Sequence, residues 1–232
     1  MSVGLISIVL PVYNQADHIA GVVDEHQAAL AQLEQAHEML LVVNACRDRS
    51  LEVCRELAER HEAVRVLHSE AGGWGLAVKL GLSEAKGDLL CYTNSARTST
   101  QDLLLILLYA VVYPNVAVKA NRKIRDSLFR RLGSLIYNLE CRALFDLANW
   151  DINGTPKVFP RTFDRLLELE RDDDLIDAEF HAVCRRHDYP IIEVPVLSTT
   201  RHGGKSTTRI RSALRMYWGA LELRRARNQK AA

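Results

Sequence analysis

Four times in the first hundred residues, a short run of mostly branched apolar residues gives way to a segment with helical spacing. The runs are LISIVL (Leu5–Leu10), MLLVV (Met39–Val43), VRVL (Val64–Leu67) and LLCYT (Leu89–Thr93). Between them apolar residues recur every three or four positions, as Ile19, Val22, Val23 and Leu30 and then as Leu51, Cys54 and Leu57. Short unbroken apolar runs suit strands covered on both faces, and the intervening periodicity suits the helices that cover them. The alternation therefore predicts an α/β fold with a mostly parallel sheet. Helices are expected from Asp17 to about His37, from Ser50 to His61, and from the glycine-rich loop at 71–75 to Ala85.

The second half is less regular. A helix is expected over Leu103–Tyr113, a strand over Val116–Lys119 and a long helix over Ser127–Leu147. A strand-like turn follows in DINGTPKVF, then helices near Phe163–Leu169 and over Ile176–His187, and a strand over Ile191–Val196. Thr207 to about Arg227 reads as an amphipathic helix, with Ile210, Leu214, Tyr217 and Leu221 on one stripe and arginines opposite. No repeat or long linker interrupts the chain, which reads as one domain over 1–206 with a helical tail over 207–232.

Charge separates these two parts. The whole chain carries 30 Lys/Arg against 29 Asp/Glu. From Arg201 onward there are nine basic residues and one acidic, leaving a net −7 on residues 1–200. A basic tail on an acidic body suits anionic partners, though a solvated helix surface is the plain alternative. The five cysteines (46, 54, 91, 141 and 184) form no C-x-x-C pair and no cluster with zinc spacing, which fits reduced thiols and a cytoplasmic setting. The start MSVGLISIVL lacks the features of a signal peptide, and the apolar stretch Leu103–Val112 is too short to cross a bilayer. A soluble protein is expected, at most bound to the inner face of a membrane.

In parallel sheets, ligands bind beyond the carboxyl ends of the strands. Here those ends are PVYN (11–14), NACRD (44–48), EAGGWG (70–75) and NSAR (94–97), and the fold sets them along one rim. Read in order, ISIVLPVYNQADHI, LLVVNACRDRS, HSEAGGWGLAVKLGLSEAKGDLLCYTNSA, VKANRKIRDSLFRRLGSLIYNL, DINGTPKVFPR, LIDAEFHAVCRRHDYPIIEVPV and RHGGKST resemble the family 2 glycosyltransferases, which have the GT-A fold. The likeness is greatest to the dolichyl- and polyprenyl-phosphate sugar synthases and covers about residues 5–206. It implies inverting transfer of a sugar from a nucleoside-diphosphate sugar to an acceptor, either a lipid phosphate or a small-molecule hydroxyl. A nucleic acid partner is not implied.

Carried over residue by residue, the resemblance places Pro11 and Tyr13 against the base. Gln15 stands where the family has glutamate, and Asn44 where it has the base-reading aspartate. Asp48 keeps the turn of its loop. The largest departure lies at Asn94-Ser95-Ala96, where the family carries D-x-D and holds Mg²⁺ or Mn²⁺ against the diphosphate. Alanine ligates nothing and a neutral amide is a poor partner for a hard cation, so no family-type metal site is expected. Cations on the protein are the expected substitute: Arg97 and Lys79, then Arg201, Lys205 and Ser206 of the closing loop, since arginine forks bind phosphate oxygens directly. Arg97 also reads simply as a surface loop charge.

For the acceptor side, the resemblance points to Asp177 as base or positioning group and to Asp151 as a second candidate. Glu179 lies beside them, with Arg122, Arg125 and Arg131 for a phosphate. An acceptor that is already a phosphate needs no base. The tail with Tyr217 and Trp218 fits an anionic membrane surface, the body of the domain, or a second subunit of a homodimer. Coordinated loss of acid at positions 15, 44, 94 and 96 also fits a second reading, a catalytically inactive glycosyltransferase-like scaffold.

Overall fold

The computed structural model describes residues 3–123, 128–197 and 210–229. Among these residues, seven strands form one sheet: β1 (Leu5–Val12), β2 (Ala36–Asn44), β3 (Val64–Ser69), β4 (Leu89–Tyr92), β5 (Ala117–Arg122), β6 (Lys157–Pro160) and β7 (Ile191–Val196). Their order is β3-β2-β1-β4-β6-β5-β7, and only β6 runs antiparallel to its neighbours. The helices are α1 (Ile19–Leu30), α2 (Ser50–Arg60), α3 (Trp74–Glu84), α4 (Thr100–Val112), α5 (Leu128–Phe145), α6 (Ile176–Arg186) and α7 (Ile210–Gln229).

Alternate side chains of β1 supply both faces of the core. Ile6, Ile8, Leu10 and Val12 join α1 and α4 on one side, while Val9 joins α3 and α6 on the other. Both clusters are fully enclosed, which explains why these strands read as unbroken apolar runs. A third cluster joins α5 and α7 to the start of α6 through Tyr137, Phe145, Leu175, Ala220 and Leu223. Gly219 permits this packing, because a Cβ there would lie 2.2 Å from Leu175 Cδ1. The tail helix is therefore docked on the body along that face. Four of the cysteines are buried and Cys46 is half-buried; all five are free thiols.

Two expected boundaries move. The first helix stops at Leu30, not near His37, because Ala36 must pair with Leu5 and His37 with Ile6 in the parallel ladder. No glycine or proline marks this stop, so tertiary pairing overrides an unbroken helical pattern. Near Phe163–Leu169 the chain makes only a single 3₁₀ turn, Asp164–Leu167.

Candidate functional site

Strands β1, β2 and β3 step one way across the sheet, and β4 returns to the other side of β1. That reversal leaves a crevice at the carboxyl ends of β1 and β4, the usual ligand position in an open α/β sheet. The loops after β1 and β4 are tied across it: Ser95 Oγ lies 2.6 Å from Gln15 Oε1 and 3.2 Å from the Pro11 carbonyl. The shorter contact takes the single hydroxyl proton. Asn94 folds back on its own loop, its Oδ1 accepting the Ala96 N–H at 2.9 Å. Ala96 is buried beneath, and Arg97 is half-buried at the edge.

Asn44 closes the crevice on the β2 side. Its amide donates to the Val12 carbonyl at 3.0 Å and its Oδ1 accepts Gly73 N–H at 3.2 Å, so one side chain joins three rim loops. Next to it Ala45 sits at φ 46° and Asn14 at φ 50°. Asparagine tolerates this left-handed conformation, but an alanine there costs about 1–2 kcal/mol, so strain is held at the rim. Asp48 does keep its turn, accepting N–H groups from Ala16 and Ser50 and the Ser50 hydroxyl. Burial pushes its pKa up, but the Ser50 hydroxyl and these amides outweigh burial and hold it below the usual value. Pro11 is buried within β1, and Tyr13 stands 45% exposed above it.

The glycine turn serves close approach. A Cβ on Gly73 or Gly75 would lie 2.4 Å from the Asp172 carbonyl or 2.3 Å from that of Arg171. The 170–173 backbone is pinned there by Glu179, whose carboxylate accepts the N–H groups of Glu170 and Arg171. Lys79 reaches the same segment, donating to the Glu170 carbonyl at 2.9 Å and pairing with Asp172 at 2.6 Å. Glu179 and Lys79 thus hold a loop beside the rim.

A second polar group lies one layer down and contains the candidate carboxylates. Residues Tyr92, Lys157, Lys119 and Glu193 are direct neighbours across β4, β6, β5 and β7. They form one row across the sheet, on the face covered by α6. Lys157 Nζ and the Tyr92 hydroxyl both donate to Asp177 Oδ1. Lys119 Nζ, also fully buried, pairs with Glu193 at 2.9 Å and contacts the Trp150 carbonyl. Asp151 takes a bidentate contact from Arg122, at 2.8 and 2.7 Å, plus the Arg122 N–H.

Burial lowers the pKa of both lysines; for Lys119 it falls from 10.5 to about 8 despite the nearby Glu193 and Asp151 carboxylates. Burial and the neighbouring Asp177 raise that of Tyr92. Burial, with Lys119 and Lys157 close by, drives His181 well below the ordinary value, so this imidazole stays neutral. Sequence reading omitted Tyr92, Lys119, Lys157, His181 and Glu193. One signal was present: a lysine inside VAVKAN and another inside PKVFP, each within an apolar strand that must supply it a partner.

Asp177, Asp151 and Arg122 are therefore brought together around one buried network, and Gln15, Asn44, Asn94, Ala96 and Arg97 around the crevice. Arg125, Arg201, Lys205 and Ser206 lie outside the described residues, as does the side chain of Arg131. The donor set at the crevice does not fit a Mg²⁺ or Mn²⁺ ion. Asn94 Oδ1 already accepts the Ala96 N–H, the Ser95 hydroxyl donates to Gln15, and Gln15, Asn44, Asn94 and Ser95 are all neutral. Among the described residues no group of three or more His, Cys, Asp or Glu is placed to hold a metal. Such ions bind mainly through anionic oxygens, and neither the 11–15 nor the 94–97 loop supplies one.

A mostly parallel sheet with an antiparallel β6 beside its switch point, flanked by helices on both faces, is the GT-A architecture of glycosyltransferases. The comparison with solved structures agrees. Glucosyl-3-phosphoglycerate synthase from Mycobacterium tuberculosis, in complex with Mn²⁺, UDP and glucosyl-3-phosphoglycerate, matches with TM-score 0.71 at 16% identity, over 95% of this chain and 80% of that one. Its complex with Mg²⁺ and UDP matches with TM-score 0.70 at 16% identity, over 95% and 79%. Residues 7–174 match the family model described as glycosyl transferase family 2, and the chain belongs to that family.

Curated relatives include undecaprenyl-phosphate 4-deoxy-4-formamido-L-arabinose transferases. That of Pectobacterium carotovorum is 31% identical over 143 residues, 59% of this chain and 43% of the relative. That of Pseudomonas paraeruginosa is 28% identical over 165 residues, 69% and 48%. The chain thus spans under half the length of these relatives.

Proposed function

We propose that this chain transfers a sugar, with inversion, from a nucleoside-diphosphate sugar to a lipid phosphate, and neutralises the leaving diphosphate with protein cations instead of a carboxylate-held metal. The observation that carries this reading is the neutral Asn94–Ala96 turn at the β1/β4 crevice, with Arg97 directly behind it. UDP in the structural neighbours and undecaprenyl phosphate in the names of the relatives support the donor and acceptor classes. Arg97, with Arg201, Lys205 and Ser206, is assigned to the diphosphate, because guanidinium forks match phosphate oxygens and need no bound ion. Tyr13 is assigned to the base, with Pro11, Gln15 and Asn44 holding the crevice in shape.

A phosphate acceptor arrives with an anionic nucleophile, so no general base is required. Asp177 and Asp151 then act as positioning groups. Their carboxylates fix Lys157 and Arg122 beneath the rim, and Arg122 and Arg131 serve the acceptor phosphate. The reaction is centred at the inner face of a membrane, where a polyprenyl phosphate presents its head group.

Calorimetric titration with UDP and UDP-sugars, in EDTA and in Mn²⁺, tests this. Binding is expected in EDTA, and Arg97→Ala is expected to weaken it about tenfold to a hundredfold, the value of a lost charge-assisted contact. An absolute requirement for the divalent ion would sink the metal-independent mechanism. The neutral residues at 15, 44, 94 and 96 also favour the inactive scaffold as a second reading; it gains if UDP and other nucleoside diphosphates bind neither with nor without metal.

A further inference from the structure

Two helices present apolar stripes to solvent. On α5, Leu132, Leu135, Ile136 and Leu139 are each 45–56% exposed and follow the i, i+3, i+4, i+7 spacing of a single face. That face points away from the core, since Tyr137, Asn138 and Cys141 on the opposite side are buried. On α4, Leu105, Leu108, Tyr109 and Val112 form a comparable stripe. A contiguous exposed apolar face on a folded domain marks a contact surface.

Charge separates the two stripes. Residues 98–115, which contain the α4 stripe, include one acidic residue and no basic one. The α5 stripe follows a segment, 123–131, with four basic residues and one acidic. Beside α5 lies α7: Tyr217 packs edge-on against Tyr137 and donates to the Gly133 carbonyl at 2.8 Å. The α7 sequence carries five arginines and one glutamate, Arg224 and Arg225 are exposed, and Trp218 projects outward at 67% exposure. An apolar stripe bordered by cations and an exposed tryptophan fits the boundary between anionic lipid head groups and acyl chains. No helix among the described residues is long and apolar enough to cross a membrane, so contact through α5 would be on the surface.

Topology places this surface beside the crevice. β5 and β7 run parallel to β4, because β6 is antiparallel to both β4 and β5. The chain therefore leaves β5 toward α5, and β7 toward α7, from the rim that carries Asn94. From these observations we infer that the outer face of α5, next to the arginine-rich α7, docks the protein on an anionic bilayer and sets the crevice at lipid head-group level. This deepens, and rests on, the lipid-phosphate reading above.

The test is sedimentation of the full chain with vesicles of pure phosphatidylcholine or of phosphatidylcholine with phosphatidylglycerol. The wild type should bind the anionic vesicles more tightly, with an affinity that falls as salt rises. Leu135→Glu with Ile136→Glu should weaken that binding at least tenfold, whereas Leu108→Glu with Val112→Glu should leave it unchanged. Circular dichroism and UDP calorimetry on the same variants check that each is folded with an intact crevice. Equal binding to both vesicle types, retained binding by the α5 variant, or loss through the α4 variant would overturn the proposal. So would a wild-type dimer that the α5 substitutions dissolve, since a second copy would then cover the stripe. Failure to bind UDP by a wild type that still sediments with anionic vesicles would instead count against the glycosyltransfer reading alone.

Discussion

Lys157 and Asp177 form a pair that neither residue can leave without stranding the other. Both are buried, and the Tyr92 hydroxyl completes the carboxylate's set of donors. Removing one partner of such a pair costs about 3–5 kcal/mol, whereas replacing both by apolar residues is often nearly neutral. Asp177→Leu alone should therefore lower Tm by roughly 6–20 °C, and Asp177→Leu with Lys157→Met should recover most of that loss. Thermal melts of the two singles and the double decide it. A double mutant no better than the worse single would contradict the pairing.

Lys119 gives a pH signature. Its folded pKa of about 8 lies below its ordinary 10.5, in the company of Glu193, Asp151 and Lys157. Below pH 8 both states hold the proton and the cost of burying the charge is fully present. Between 8 and 10.5 only the unfolded chain still holds it, so stability rises with pH across that window. Urea midpoints should show the wild type gaining on Lys119→Met by on the order of 2 kcal/mol between pH 7.5 and 9.5.

Among the elements, the glycine turn before α3 has the least room for change. The Gly75 site touches three consecutive residues of the 171–173 backbone, so even a methyl group must push that segment aside. Gly75→Ala should destabilise the protein by about 1–3 kcal/mol, as overpacking does, and weaken nucleotide binding by disturbing the Gly73–Asn44 contact; melts and UDP titration together read this. The turn, the four leading strands and their rim were legible in sequence because each is a local pattern: an apolar run, a glycine cluster, a polar break. The Tyr92–Lys157–Lys119–Glu193 row was not. Those residues lie far apart in the chain and meet only through the cross-strand register set by β6. For the same reason the end of α1 was misplaced, since it is fixed by pairing with β1 and no local stop signal marks it.

At the scale of the molecule, α7 is part of the fold. Gly219, Ala220 and Leu223 close the third cluster over Leu175 and α5, so a chain ending at residue 209 should melt lower and expose Tyr137 and Leu175. Dye binding to apolar surface together with a melting curve would register the change, and an unaltered Tm would show that the docking adds nothing. β6 has a further consequence, one of timing. β4 and β5 are consecutive in the chain, but β6 lies between them in the sheet. During synthesis the first four strands can therefore assemble while the outer edge of β4 waits for residues 157–160. Until they arrive, a nascent chain carries an open, apolar strand edge of the kind that pairs with other chains. The strand that delivers Lys157 to the interior also closes that edge, so any stalled or truncated product ending before it should be the form most prone to aggregate.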